Sequence, residues 1–545
     1  MKKGLFVLSG LLGIFMFSSC SKDYLDTMPT TEVGTGTVTS TTSNAIAGLN
    51  GIAKAMTTQH AGVGYGSSGE GRIMRLYENY PSENFYFNAY ASGWTDLHNM
   101  KLFSNALSGY NWYAWYYYYQ LITNANTIIL GSDNIDGTEQ EKNYVKAAAL
   151  TFRAYSYEKL LRYYAPRWLD SNNGAERGLP LRLDDSLGDL APSSVAEVYS
   201  QIYKDLDEAI ALYANAIDRP SGQVWLPNVN VAHAVYARAA LNRLDYAKAQ
   251  SEAKMAEDGY PLMSNQEYRA GFYEPTSEWI FGSYGDSSEQ LWYWSYGTQF
   301  SCNGNMATNA QTGSGEASIE LIDRVPKTDI RHDLFITRDI LPDADWSGGK
   351  ESVIDDSKCK MKLEDRFEPE LEAVREWIDN HSPAIASSLP AYANYDFLLG
   401  GQLKFWVKDL PGVGGLPFIR SSEMVLVEAE SAFKQGDEAG AIAALVRLNK
   451  DSGRNPDYSC NLSGDALWEE IVLYRNVELW GEGHSWSDYK RWNRPIVRHS
   501  LKDGGNAHPA IAVTIKPSDA NNWTYVYPQR EIDYNKLVDD TKPTM

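Results

Sequence analysis

Long apolar runs are missing from this 545-residue chain. The stretch Leu5 to Phe17 falls short of the ~20 residues a spanning helix needs, and 43 % hydrophobic with 22 % charged residues exclude a multispan membrane protein. Positive charge is scarce: 49 Lys+Arg stand against 70 Asp+Glu, a net −21. Nucleic-acid binding would need a local basic patch working against that field, and none is visible. Cysteine is scarcer still, with four residues. Cys302, Cys359 and Cys460 show no zinc spacing, and once Cys20 is set apart their odd number allows at most one disulfide. The eight histidines include no HExxH, and neither GxSxG nor GxxxxGK[ST] occurs. Gly62 to Gly71 (GVGYGSSGEG) lacks the preceding apolar strand of a phosphate cradle and reads as a surface loop.

Aromatic residues with a polar handle are abundant. The chain has 36 Tyr and 16 Trp against 16 Phe, a surplus suited to recognition surfaces, although most of these rings belong in half-buried helix packing. Lys2 and Lys3 precede the apolar stretch, which ends at Phe17-Ser18-Ser19-Cys20. Residues 1–19 therefore read as a signal peptide, and the small residues before Cys20 resemble a lipobox that makes this thiol the lipid anchor.

From Asn111 to Tyr260 the periodicity is helical. Leu150, Ala154, Tyr157, Leu161 and Tyr164 form one stripe, and Thr138-x-x-Glu141 and Ser194-x-x-Glu197 read as capping boxes ahead of two helices. Further helix pairs fall on either side of Asn242 to Asp245 and of Gly436-Asp437. The small residues and brief turns are similar to tetratricopeptide pairs, but the spacing is irregular. The expected fold is mostly α: irregular helix pairs form a scaffold over about 111–260 and 420–495. Loop-rich parts with a few short strands, over about 39–107 and 261–417, carry the ligand.

The order of these features resembles the SusD/RagB family of outer-membrane lipoproteins over almost the whole chain. The resemblance rests on Asp23-Tyr24-Leu25-Asp26 after Cys20 and on Ala148, Phe152, Arg153, Ala154, Tyr163 and Pro166 in "VKAAALTFRAYSYEKLLRYYAP". It rests further on Arg420, Glu423, Leu426, Ala429 and Glu430, and most of all on Arg475, Glu478, Leu479, Glu482-Gly483-His484, Trp486, Asp488 and Lys490-Arg491-Trp492. Tyr474 stands where the family usually has glutamate, and Ser485 where it has arginine. Arg475, Glu478 and Glu482 read as an ion-paired helix end with a structural role.

The resemblance implies one SusD-like domain over residues 20–545, held at the outer membrane by a lipid. It implies a non-catalytic protein that binds oligosaccharides, or peptides in a variant, and passes them to a SusC-like TonB-dependent transporter. A surface glycoside hydrolase and a scaffold that binds only protein are the rival classes. Sugar faces pack on flat rings while hydroxyls take amides and acids, so Tyr86, Tyr90, Trp94 and Asp96 in one loop stretch, and Trp292, Trp294, Tyr296, Gln299 and Asn303 in the other, are the expected glycan contacts. Tyr113 and Tyr116 to Tyr119 read instead as packing or partner contacts. No cofactor is expected. A calcium ion in Asp184 to Asp189 is the one metal considered, and a solvated turn is the commoner explanation. Replacing Cys20 by alanine is expected to abolish both fatty-acid labelling and membrane partitioning; retention of either would refute the anchor.

Overall fold

The computed structural model describes residues 35–57, 69–87, 91–284, 301–303, 315–357, 359–381, 397–407 and 414–538. The helices that organise it are α1 (Thr42–Ala55), α2 (Ala91–His98), α3 (Gly109–Gly131), α4 (Glu139–Tyr164), α5 (Val195–Tyr213), α6 (Val229–Arg243), α7 (Tyr246–Ala256), α8 (Glu368–His381), α9 (Ser421–Lys434), α10 (Glu438–Val446), α11 (Gly464–Glu478), α12 (Ser485–Trp492) and α13 (Gln529–Tyr534). Short antiparallel pairs accompany them: β1 (Phe85–Tyr86) with β5 (Glu316–Ala317), β2 (Arg177–Pro180) with β3 (Pro192–Ser194), and β4 (Trp279–Gly282) with β8 (Pro417–Arg420). β6 (Ile354–Asp355) pairs with β7 (Lys360–Met361), and β9 (Ile496–Val497) with β10 (Thr514–Ile515).

α4 is the axis. Both arms of the Thr138–Glu141 capping box are present, and Pro166 holds Ala165 extended and ends the helix. The sequence predicts one apolar stripe, but the helix is buried on every side from Ala147 to Tyr164, because α1, α3, α5 and α6 all pack on it. Its polar residues therefore find partners inside. Arg153 donates to both carboxylate oxygens of Asp205 at 2.8 and 2.7 Å and to Asn126, and Arg162 pairs with Glu158 at 2.5 Å. α5 keeps the expected capping box and a one-sided stripe of Val198, Ile202, Leu206 and Ala209. α6/α7 and α9/α10 are the expected hairpins. The second turns at Gly436, whose φ of +83° suits the residue after a helix end.

One boundary differs from the sequence reading. The stretch 39–107, read as loops, contains α1, capped by Thr41 and packed on α3 and α4, as well as the π-helix Ile73–Asn79 and α2, which carries Trp94 and Asp96. The tail after Pro495 drapes over the helices as expected: the Tyr525 amide donates to the Tyr163 carbonyl at 2.8 Å, and Val526 to Phe103 at 2.9 Å.

The C-terminal acids and arginines are structural, but their pairing is not that of one helix face. α11 ends at Glu478, so Glu482 lies in the following turn rather than one helical turn further along. Gly483 in that turn has φ +77°, and a Cβ there would stand 2.6 Å from Met74. Arg475 pairs with Asp488 at 2.5 Å, and Arg491 bridges Asp488 and Glu430. Glu478 and Glu482 instead meet Arg420, which donates to Glu278 at 2.6 Å, Glu478 at 2.8 Å and Glu482 at 2.6 Å. Arg331 and Arg454 reach Glu478 at 2.8 and 3.2 Å, and Lys404 reaches Glu482 at 2.7 Å. Tyr474 lies under the Arg331 guanidinium at 4.8 Å, so a ring–cation contact occupies the place where the family has glutamate. Burial works against ionisation of Glu478, but the charges of Arg454, Arg420, Arg331 and Lys404 outweigh it and hold the carboxyl well below 4.5. That stabilisation is present above about pH 4.5 and lost as pH falls below it.

A second cluster clasps the scaffold. Arg447 bridges Glu257 after α7 at 2.9 Å and Glu428 on α9 at 2.6 Å, with Lys254 4.0 Å from Glu428. Burial and the neighbouring Glu428 charge, opposed by Arg447, push Glu257 up to about 8. The folded chain thus keeps a proton between pH 4.5 and 8 that the unfolded chain has released, and stability falls as pH rises through that window.

Two outcomes are expected. Arg420→Met removes the cation shared by three buried carboxylates and leaves the cluster one positive charge short, which should cost about 3–5 kcal/mol, read by denaturant unfolding; a loss below about 1 kcal/mol would refute the cluster's role. In thermal melts from pH 5 to 8.5, Glu257→Gln should flatten the decline seen in the wild type, and parallel profiles would remove Glu257 as the proton's holder.

Candidate functional site

The surface ring predicted from sequence that the structure describes is Trp94, on α2. Its support begins at the π-helix Ile73–Asn79, which delivers Tyr80. Tyr80 stacks on Phe87 at 5.3 Å and on His98 at 5.0 Å, and Trp94 meets Tyr80 edge-on at 5.9 Å and Tyr110 edge-on at 6.0 Å. Arg72 lies over Tyr110 at 5.3 Å and over Tyr113 at 4.4 Å. Trp94 is half-buried, so one part of the indole is fixed by other rings and the rest meets solvent.

His98 braces this arrangement from below. Burial, aided by the Arg498 charge, pushes its imidazole down to about 3, so it is neutral at physiological pH. Its Nδ1 lies 3.0 Å from the Trp94 carbonyl, a contact that requires the proton on Nδ1. Arg498 in turn donates to the His98 carbonyl at 2.6 Å.

Other expected contacts are placed differently. Asp96 is exposed and pairs with Lys101 at 3.2 Å. Two residues along a helix it stands about 200° round from Trp94, so the two do not share a face. Tyr86 is fully buried against Ala507 and Ile511, because strand pairing with Glu316 turns its ring inward, and it offers no face to a ligand. Asn303 is buried too. Its amide donates to the Val407 carbonyl at 2.6 Å and accepts from the Val407 amide at 2.9 Å, which joins two chain segments. Tyr90, Trp292, Trp294, Tyr296, Gln299 and Cys20 lie outside the described residues. The sequence reading missed Tyr110, which borders Trp94, and Arg72, which lies over Tyr110; Tyr110 opens a helix rich in packing rings and is not separable from them by pattern.

In the Asp184 to Asp189 turn, Arg182 donates to the Ser186 and Gly188 carbonyls at 2.7 and 2.8 Å. Among the described residues no group of three or more His, Cys, Asp or Glu is placed to hold a metal. A roomier concavity, about 960 Å³, lies on the scaffold between Met255–Glu267 and Arg447–Ser452, with Tyr260, Met255 and Glu257 on its wall. No helix among the described residues is long and apolar enough to cross a membrane.

Residues 23–241 match the family described as "Starch-binding associating with outer membrane", and residues 413–542 match the SusD family. The fold is similar to that of a SusD-like carbohydrate-binding protein from Bacteroides vulgatus (TM-score 0.72, 22 % identity, 93 % of this chain and 99 % of that chain). It is also similar to SusD superfamily proteins from Bacteroides thetaiotaomicron (0.66, 22 %, 92 % and 99 %) and Bacteroides fragilis (0.63, 18 %, 92 % and 99 %). No curated protein matches the chain. With both ends of the chain matched by the same family and the fold shared along almost its whole length, the chain belongs to the SusD/RagB family of outer-membrane-associated proteins.

Proposed function

We propose that this protein is a non-catalytic, lipid-anchored receptor on the outer face of the outer membrane, and that it binds an oligosaccharide and passes it to a SusC-like TonB-dependent transporter. The observation that carries the ligand class is Trp94, a half-buried indole held edge-on by Tyr80 and Tyr110 within a family described as starch-binding. A ring fixed in advance loses little freedom when a sugar face packs on it. The non-catalytic reading is supported by the fate of the family-motif acids. Glu478 and Glu482 are at most 5 % exposed and committed to Arg420, as is the neighbouring Glu278, so they are unavailable to a glycosidic bond.

Trp94→Ala should weaken retention on the cognate glycan about tenfold, as for an aromatic anchor at a binding surface, while leaving the melting temperature close to that of the wild type. Unchanged retention removes Trp94 from the site. New reducing ends after incubation with a glycan panel would replace this reading with the hydrolase, and capture of peptides without glycans would replace it with the peptide-binding variant.

A further inference from the structure

Lys490 on α12 is an ammonium-bearing side chain in an unusual position. It is 5 % exposed, and among the described residues it has no carboxylate within ion-pairing distance. Its amine donates to two backbone carbonyls where α4 ends, Arg162 at 2.6 Å and Ala165 at 2.8 Å. Two acceptors match the two N–H bonds of a neutral amine and leave its lone pair unused.

The residue lines a half-enclosed cavity of about 30 Å³. Leu161, Pro166, Trp168, Tyr199 and Leu244 form the apolar wall. That space admits a molecule of two or three heavy atoms and excludes a sugar ring. Three guanidiniums, from Arg162, Arg167 and Arg491, also line it, together with Asn242 and Ser487. Each already has a carboxylate: Glu158 for Arg162, Asp170 for Arg167, and Asp488 with Glu430 for Arg491.

The electrostatics agree with this geometry. Burial, helped by the Arg167 charge and only partly opposed by Asp170 and Glu78, pushes Lys490 down to about 7. A desolvated amine that is free at neutral pH is a nucleophile.

We propose that Lys490 is a carbamylation site, an amine that takes up carbon dioxide within this cavity. The lone pair adds to the carbon of CO2, the N–C bond forms as one C–O π pair moves onto oxygen, and one N–H proton leaves to the buffer. The product is Lys–NH–COO⁻, with no oxidant or reductant involved. One N–H remains for one of the two carbonyls, and the new anion turns the repulsion from Arg167 into attraction.

The test is to equilibrate the full chain with ¹³C-labelled bicarbonate and CO2 at pH 7.5, trap carbamates by O-alkylation, and map them by peptide mass. At that pH an ordinary lysine is free in roughly 0.1 % of molecules. Labelling of Lys490 should therefore exceed that of Lys502, whose side chain is 77 % exposed, by roughly a hundredfold or more. It should disappear in Lys490→Arg, which keeps donors for both carbonyls. Absence of label at Lys490, or labelling no greater than at Lys502, overturns the proposal. If Lys490→Arg does not fold, the wild-type map alone decides, since the comparison with Lys502 is internal to it.

Discussion

The structure depends on a neutral knot of buried charge. Glu278, Asp329, Glu478 and Glu482 face Arg331, Lys404, Arg420 and Arg454, four acids and four bases, all at most 5 % exposed. They come from chain segments some 200 residues apart and join the β4/β8 pair, the turn after α11 and the stretch after α10. Such a knot is weak evidence for net stability, because each charge is desolvated, and replacement of the whole set by apolar residues is often neutral. Removing one member is different, since the rest stay buried with one countercharge too few. The constraint therefore acts as a demand for completeness: the charges are fully paired only where β4 meets β8 and brings Glu278 to Arg420. Lys404 shows the tension, pushed down to about 8 by burial although Glu482 lies 2.7 Å away.

The tyrosine surplus follows a related logic. Tyr113, Tyr117, Tyr118, Tyr163 and Tyr164 are fully buried. Several of their hydroxyls secure distant chain: Tyr163 donates to Glu78 at 2.7 Å, Tyr117 to Glu70 at 3.2 Å, and the half-buried Tyr119 to the Pro180 carbonyl at 2.8 Å. A phenylalanine core would supply the same apolar area but would take one donor from each of these carbonyls and carboxylates. Tyrosine is thus a core residue here, and only a small remainder of the rings is free for recognition.

The scaffold was legible wherever its signals were local. Both capping boxes, the two hairpins and the α5 stripe follow from side chains three or four positions apart, and they are where their spacing puts them. α1 escaped because Asn, Gly and Thr dilute its composition, although Ala45, Leu49, Ile52 and Ala53 do keep helical spacing. α4 was found with the wrong environment, since a helix surrounded on all sides carries no stripe and its buried arginines imitate a solvated face. The ion pairs were mis-assigned for a sharper reason: where α11 stops decides which partner Glu482 meets, and that depends on Gly483 fitting against Met74. The candidate site was least legible. An aromatic–polar mixture in a loop looks the same whether the ring is Trp94 at the surface or Tyr86 beneath it, and strand pairing with Glu316, more than 200 residues away, makes the difference.

These elements separate two kinds of response to pH. The Glu257–Arg447–Glu428 clasp holds a proton across the neutral range, so the packing of α7 on α9 is sensitive to pH where the protein works. The Trp94 platform is not. His98 is held neutral down to about pH 3 and keeps its contact with the Trp94 carbonyl, and burial pushes the Tyr80 hydroxyl up, away from this range. The packing around Trp94 thus keeps one geometry over the whole range in which the Glu257 clasp gains or loses a proton. The net charge of −21 also fits a neutral ligand, for which the overall field neither attracts nor repels and recognition is left to ring faces and hydrogen bonds.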